Sequence, residues 1–223
     1  MRKRSEDFTN VSILQLKVTL RDVHPSVWRR IHVRNDATLG SLHDCLQVVF
    51  DWADSHLHSF RTRAGAVYGT AVLADVIPST NERRVRLRDV LDLPGEWLFY
   101  EYDPGDGWAH EVRFERAVPF VFDQAYPCVV DGRRACPPDD VGGASGYERF
   151  RAAISDPLHP EHDEMLKWYG RPFDATAFDV ATVNQALHGS SALAPEPLTT
   201  RSTRRTPASR GLRGKPRATG RAR

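Results

Sequence analysis

No stretch of the chain approaches the 18–20 consecutive apolar residues that a membrane helix requires. The basic opening MRKRSEDFTN is followed by no apolar core of a secretory signal. Cysteine is scarce: Cys45, Cys128 and Cys136 are odd in number and too few for a disulfide framework. These absences predict a cytoplasmic protein with reduced thiols and no membrane partner. Several catalytic signatures are missing too. There is no G-x-S-x-G elbow, neither Gly-rich phosphate loop, no H-x-x-x-H metal spacing and no helix-turn-helix pattern.

Aromatic residues are absent from 190–223, where Pro, Ser, Thr and Gly are plentiful. Such a segment cannot bury enough apolar surface to offset its ordering entropy, which predicts a disordered tail. It carries nine Lys/Arg and one acid, Glu196. The remainder holds 22 basic and 28 acidic residues, so an acidic body of net charge −6 bears a basic tail. Arg204 and Arg205 head the candidates for non-specific contact with DNA or RNA, driven by counterion release from phosphates. A solvated tail, one folded on its own body, and a protein partner are the alternatives.

The expected organisation is a flexible segment at 1–10, a folded body at 11–189 and the tail. Period-two alternation marks strands at ILQLKVTL and VWRRIHV, the first hairpin. Helical spacing of Leu39, Leu42, Leu46, Val49 and Phe50, with Thr38 as N-cap, predicts a helix. His43 beside that stripe reads as a helix-surface or core-edge residue. SHLHSFRTR returns to period two, AVYG suggests an edge strand, and RRVRLRDVL a short strand running into a helical turn. EWLFYEY and WAHEVRFE flank Asp103-Pro104-Gly105-Asp106-Gly107, a second hairpin. YPCVVDGRRAC reads as a third, turning at Asp131-Gly132. Three helices follow, over SGYERFRAAIS, PEHDEMLKWYG and DVATVNQALHG. The predicted class is α+β, a mostly antiparallel sheet with one helix after the first hairpin and three C-terminal helices packed on it.

The chemistry-bearing residues cluster around the second hairpin. Alternation puts His110 on the apolar face beside Trp108, and His56 and His58 together on one face. One reading joins His56, His58, Asp106 and His110 in a pocket. His58, Asp106 and His110 would then do hydrolytic or acid/base work, with His56, Tyr102 and Trp108 lining it. A divalent metal would be the cofactor, held by His56, His58 and His110. The other reading gives these residues packing and turn roles and makes the body a binding module. Cys128 and Cys136 are spaced too widely for a zinc half-site and suggest a thiol pair across the third hairpin. Gly142, Gly143 and Gly146 suit a loop leading into a helix.

Taken in order, QLKVTLRDVHPSVWRRIHV, LHDCLQVVFDWADSHLHSF, YEYDPGDGWAHEV, YPCVVDGRRACPPDDVGGASGYERF and PEHDEMLKWYGRPFDATAFDVATVNQAL resemble the plasmid Orf3-like family. Its members are often labelled passenger, TnpR-like proteins of insertion elements. The resemblance covers about Ser12 to His188 and implies an α+β fold and an association with plasmids and mobile elements. It supplies no reaction. Relatives tend to read YDFGDGWEH where this chain has Pro104 and Ala109, and some carry a cysteine at the position of Val141.

Overall fold

The computed structural model describes residues 11–189. The segment 1–10 and the basic tail, with Arg204 and Arg205, lie outside the described residues.

Eight strands form one sheet: β1 (Ile13–Leu20), β2 (Trp28–Arg34), β3 (His58–Thr62), β4 (Val67–Gly69), β5 (Thr80–Asn81), β6 (Trp97–Tyr102), β7 (Trp108–Val118) and β8 (Cys128–Arg133). Their order is β5-β4-β3-β6-β7-β1-β2-β8, antiparallel throughout except for the β4–β5 edge pair. The helices are α1 (Leu39–Val49), α2 (Ala71–Ala74), α3 (Leu87–Val90), α4 (Gly143–Ser155), α5 (His162–Tyr169) and α6 (Val180–Gly189), with a 3-10 turn at Glu82–Arg84. The α+β class and the positions of α1, α4, α5 and α6 follow the sequence reading, whereas α2 lies in a stretch with no helix expected.

The core lies on one face of the sheet. Leu14, Leu16, Val18 and Leu20 of β1, Leu98, Tyr100 and Tyr102 of β6, and Trp108, His110, Val112 and Phe114 of β7 all point into it and are buried. Helix α1 contributes Leu39, Leu42, Leu46 and Val49, followed by Phe50. Thr38 caps it, its hydroxyl accepting from the Ser41 N–H at 3.0 Å. Tyr147 and Phe150 of α4 and Leu187 of α6 close the layer. The opposite face is polar, with Arg30 bridging Glu115 and Asp131.

Two expectations are corrected. Residues 126–136 do not form a hairpin: β8 is a single strand paired with β2. Gly132 is small for another reason, because an added Cβ would meet the Phe178 ring and the Trp28 carbonyl. No hairpin therefore pairs Cys128 with Cys136. All three cysteines are free, and Cys136 Sγ accepts from the buried Arg29 guanidinium at 2.9 Å. The exposed backbone edge of β8 is met by α6. Asn184 accepts from the Val129 N–H and donates to its carbonyl, both at 2.8 Å, as a neighbouring strand would. The second correction concerns RRVRLRDVL. Its helical turn is α3, but the strand expected before it is absent: the 3-10 turn ends at Arg84, and Arg86 makes only an isolated bridge to Thr38.

Candidate functional site

Three chain segments far apart in sequence meet where β6 turns into β7. The turn is built by Asp103, whose left-handed backbone (φ 51°) reverses the chain. Its Oδ1 accepts from the Gly105 N–H at 2.9 Å and its carbonyl from the Gly107 N–H at 2.7 Å. Its own N–H reaches the Leu57 carbonyl at 3.0 Å, tying the turn to the loop after α1. The loop before α4 completes the rim. Asp139 accepts from the Ala53 N–H at 3.0 Å, and Asp106 accepts from the Gly142 N–H at 3.1 Å. Gly143 has to be glycine, since its φ is +69° and a Cβ would fall 2.5 Å from the Asp106 carbonyl oxygen.

At this rim His56, Asp103 and Asp140 each offer a ligand atom within 4.8 Å of the others. His56 Nδ1 lies 3.7 Å from Asp103 Oδ1, and Nε2 lies 3.1 Å from Asp140 Oδ1. The second contact is off the hydrogen-bonding direction, and Nε2 is buried without a hydrogen-bond partner. Asp103 is nearly buried, His56 is partly exposed and Asp140 stands in solvent at 70% exposure, so the group opens outward. Burial pushes the Asp139 carboxyl pKa up, and the neighbouring Asp140 and Asp103 carboxylates add to it against the Ala53 N–H. The rim is therefore crowded with negative charge.

A second group is buried beneath α1. His43 and His58 stack face to face, with ring centroids 3.4 Å apart and planes 7° from parallel. His43 Nδ1 meets the Tyr100 hydroxyl at 2.8 Å and its Nε2 meets Asp54 Oδ1 at 2.9 Å. Gln47 Nε2 donates to that same hydroxyl at 2.8 Å, so the hydroxyl hydrogen is free to point at His43 Nδ1. This sets the tautomer: Nε2 carries the hydrogen and donates to Asp54. Burial, with His58 adding to it, lowers the His43 pKa, so the ring is neutral near pH 7. His58 Nε2 pairs with Glu82 Oε2 at 2.9 Å, both side chains almost fully buried.

Glu82 reaches this place through the 3-10 turn. Arg83 forks onto Asp44 of α1 at 3.0 and 3.1 Å, and Gly40 leaves room for it, since a Cβ there would sit 2.5 Å from Arg83 Cγ.

The expected single constellation does not form. His56 and His58 fall into different groups, and His56, His58 and His110 share no set of ligand atoms. The reason is the strand order. Strand β6 lies between β3 and β7, so the row across the sheet is His58, Tyr102, Trp108, while His110 belongs to the row of Phe60 and Tyr100. Two strand spacings, about 10 Å, separate β3 from β7. His56 precedes β3 and escapes its alternation.

The remaining expected site residues have structural surroundings. Asp106 braces the α4 loop. Tyr102 is buried, its hydroxyl accepting from the Ser55 N–H at 3.2 Å, and Trp52 stacks on its ring at 4.9 Å. Trp108 is buried, with Nε1 lacking a partner. His110 is fully buried, edge-on to Phe50 and Trp52, with Nδ1 donating to the Tyr100 carbonyl at 3.2 Å. Burial drives its pKa down to about 3.

Sequence reading gave His43 a helix-surface or core-edge role and passed over Asp54, Glu82, Asp139 and Asp140. For His43 a signal existed: it is four residues after Leu39 and three before Leu46, inside the apolar stripe of α1. For Glu82 none did, because its partner comes from a different part of the fold.

Comparison with known proteins now bears on this arrangement. The uncharacterised protein y4hQ of Sinorhizobium fredii (strain NBRC 101917 / NGR234) is 38% identical over 178 residues, covering 79% of this chain and 91% of that protein. The crystal structure of MM3350, a protein of unknown function from Methanosarcina mazei Go1, superposes with a TM-score of 0.70 at 33% identity. It covers 78% of this chain and 98% of that one. Neither relative brings an activity with it. The pattern of the plasmid pRiA4b ORF-3-like proteins matches residues 12–182, which include both histidine groups and all three segments of the rim, and the chain belongs to that family.

Proposed function

We propose that the protein is a divalent-cation-binding module whose site is the rim formed by His56, Asp103 and Asp140. The observation that supports this most is the His56 ring. Its Nε2 is buried without a hydrogen-bond partner and lies beside Asp140, while its Nδ1 faces Asp103, at the meeting point of three loops that brace one another. One imidazole and two carboxylates form an oxygen-rich, mostly hard ligand set, suited to Mn²⁺ or Mg²⁺. Three protein ligands at an open rim leave positions for water or for an oxygen-bearing ligand. This is the arrangement in which a metal both orients its ligand and acidifies bound water.

Calorimetric titration of the full chain with Mn²⁺ tests the reading. Saturable binding that is lost in the Asp103→Asn/Asp140→Asn variant is the expected result. Equal heats from wild type and variant would overturn it.

A second reading draws on the outer face of the sheet and the basic tail. On that face Lys17 and Arg30 lie over the Trp28 ring at 5.1 and 5.2 Å, and Arg21 and Arg61 over Phe99 at 5.2 and 6.0 Å. Aromatic rings interleaved with cations on one sheet face are the side-chain types that contact single-stranded nucleic acid, once a base displaces the cation from the ring. Together with the nine basic residues of 190–223, this supports non-specific contact with DNA or RNA. Affinity for a labelled oligonucleotide should fall steeply with salt and weaken when 190–223 is removed. Unchanged affinity on removal would discard the tail's part.

A further inference from the structure

We propose that the buried group of His43, Asp54 and His58, with Glu82 beside it, is a second metal site, one that takes a borderline divalent ion such as Zn²⁺. Its ligand set differs from that of the rim, and the inference does not rest on the rim reading.

Three observations carry it. First, His43, Asp54 and His58 each offer a ligand atom within 4.8 Å of the others. The two imidazoles are stacked face to face, with ring centroids 3.4 Å apart. Nitrogens bound to one tetrahedral zinc at 2.0–2.1 Å are themselves about 3.3 Å apart, and the ion lies in the plane of each ring, so the stacked rings splay apart when both ligate. The carboxylate–imidazole contacts of 2.9 Å, Asp54 to His43 and Glu82 to His58, are close to the same tetrahedral edge.

Second, among the described residues the charge around the stack is not balanced by a free cation. Glu82 is 2% exposed at its side chain, and its ion-pair partner is an imidazole. Arg83 is close enough for Glu82 and Asp54 to act on it, but its guanidinium is forked onto Asp44. Two carboxylates facing two imidazoles in a largely buried place are what a divalent ion neutralises.

Third, the rings are held from behind. The Tyr100 hydroxyl meets His43 Nδ1, and Gln47 fixes that hydroxyl. Gln47 Oε1 also accepts from the Asp54 N–H at 3.0 Å and so places the Asp54 backbone. Support of this kind orients imidazole ligands in metal centres. For His43 Nε2 to ligate, its hydrogen moves to Nδ1, where the Tyr100 oxygen accepts it, and the ring's charge is unchanged. Asp54, 57% exposed at its side chain, gives the ion its way in from solvent.

The test uses the full chain stripped of metal by chelator. Zn²⁺ affinity is measured by competition with a chromophoric chelator, and the visible spectrum is recorded after Co²⁺ addition. Asp54→Asn is the chief variant, because an exposed side chain can change without loss of the fold. His58→Gln is the second, with its fold checked by circular dichroism. The proposal expects one tight Zn²⁺ equivalent, a tetrahedral Co²⁺ spectrum, at least about tenfold weaker Zn²⁺ binding in Asp54→Asn, and no change in Asp140→Asn. Zn²⁺ binding unaffected by Asp54→Asn, or abolished by Asp140→Asn instead, would overturn it. So would the absence of any tight equivalent. None of these outcomes decides the Mn²⁺ titration of the rim.

Discussion

The buried histidine pair and the rim are made of similar side chains, yet they are held in opposite ways. At the rim the backbone does the holding: left-handed aspartates, glycine-dependent contacts and main-chain hydrogen bonds bring three loops together, while Asp140 stands in solvent. Beneath α1 the side chains hold each other. His43, Tyr100, Gln47 and Asp54 form one hydrogen-bonded set, His58 and Glu82 another, and the stacked rings join the two. A network of the second kind is expensive to break, because each lost partner leaves a buried polar group unmatched. A rim of the first kind tolerates side-chain change and expresses it in binding rather than in stability.

The largest effect should come from the buried group. Glu82→Ala removes one partner of a buried pair and should cost about 3–5 kcal/mol in urea unfolding. A loss below about 1 kcal/mol would show that His58 and Glu82 are more exposed than the structure has them.

Next comes His110, the third buried histidine, which has no carboxylate partner at all. Its folded pKa of about 3 lies below the unfolded value, so the native state favours the neutral ring. The corresponding stability is complete above about pH 6.5 and is lost as pH falls from there toward 3, at up to about 1.4 kcal/mol per pH unit. Comparing unfolding of wild type and His110→Phe between pH 7 and 4 isolates this slope. Identical slopes would contradict the burial argument.

Tyr100→Phe should cost about 1–2 kcal/mol, by stranding Gln47 Nε2 and His43 Nδ1. The smallest effects belong to the rim. Asp106→Ala, which leaves the Gly142 N–H without its acceptor, should cost about 0.5–1 kcal/mol. Asp140→Ala should stay within about 0.5 kcal/mol. A rim variant as damaging as Glu82→Ala would erase the distinction between the two regions.

Much of the scaffold was legible because local rules agreed with it. The β6–β7 hairpin announces itself by alternation on both sides of Asp103-Pro104-Gly105-Asp106-Gly107, and α1 by its apolar spacing and its Thr38 cap. Asp131-Gly132 misled because a glycine demanded by the Phe178 ring resembles a glycine demanded by a turn. The site was legible in its parts but not in its grouping. Alternation places His58 and His110 on the core face, and both are there. It cannot say that β6 inserts between their strands, since strand order is a non-local property. His43 acquires its partners from Asp54 and Tyr100, and Glu82 enters by way of Arg83 and Asp44. Those contacts exist only once the sheet is assembled.

The account rests most heavily on the rim as a cation site. Anomalous diffraction from crystals soaked in Mn²⁺ tests it directly. The account predicts a manganese peak about 2.0–2.3 Å from His56 Nε2 and from the carboxylates of Asp103 and Asp140. A structure at the same Mn²⁺ concentration with no peak there, and with His56 Nε2 hydrogen-bonded to water, would contradict it.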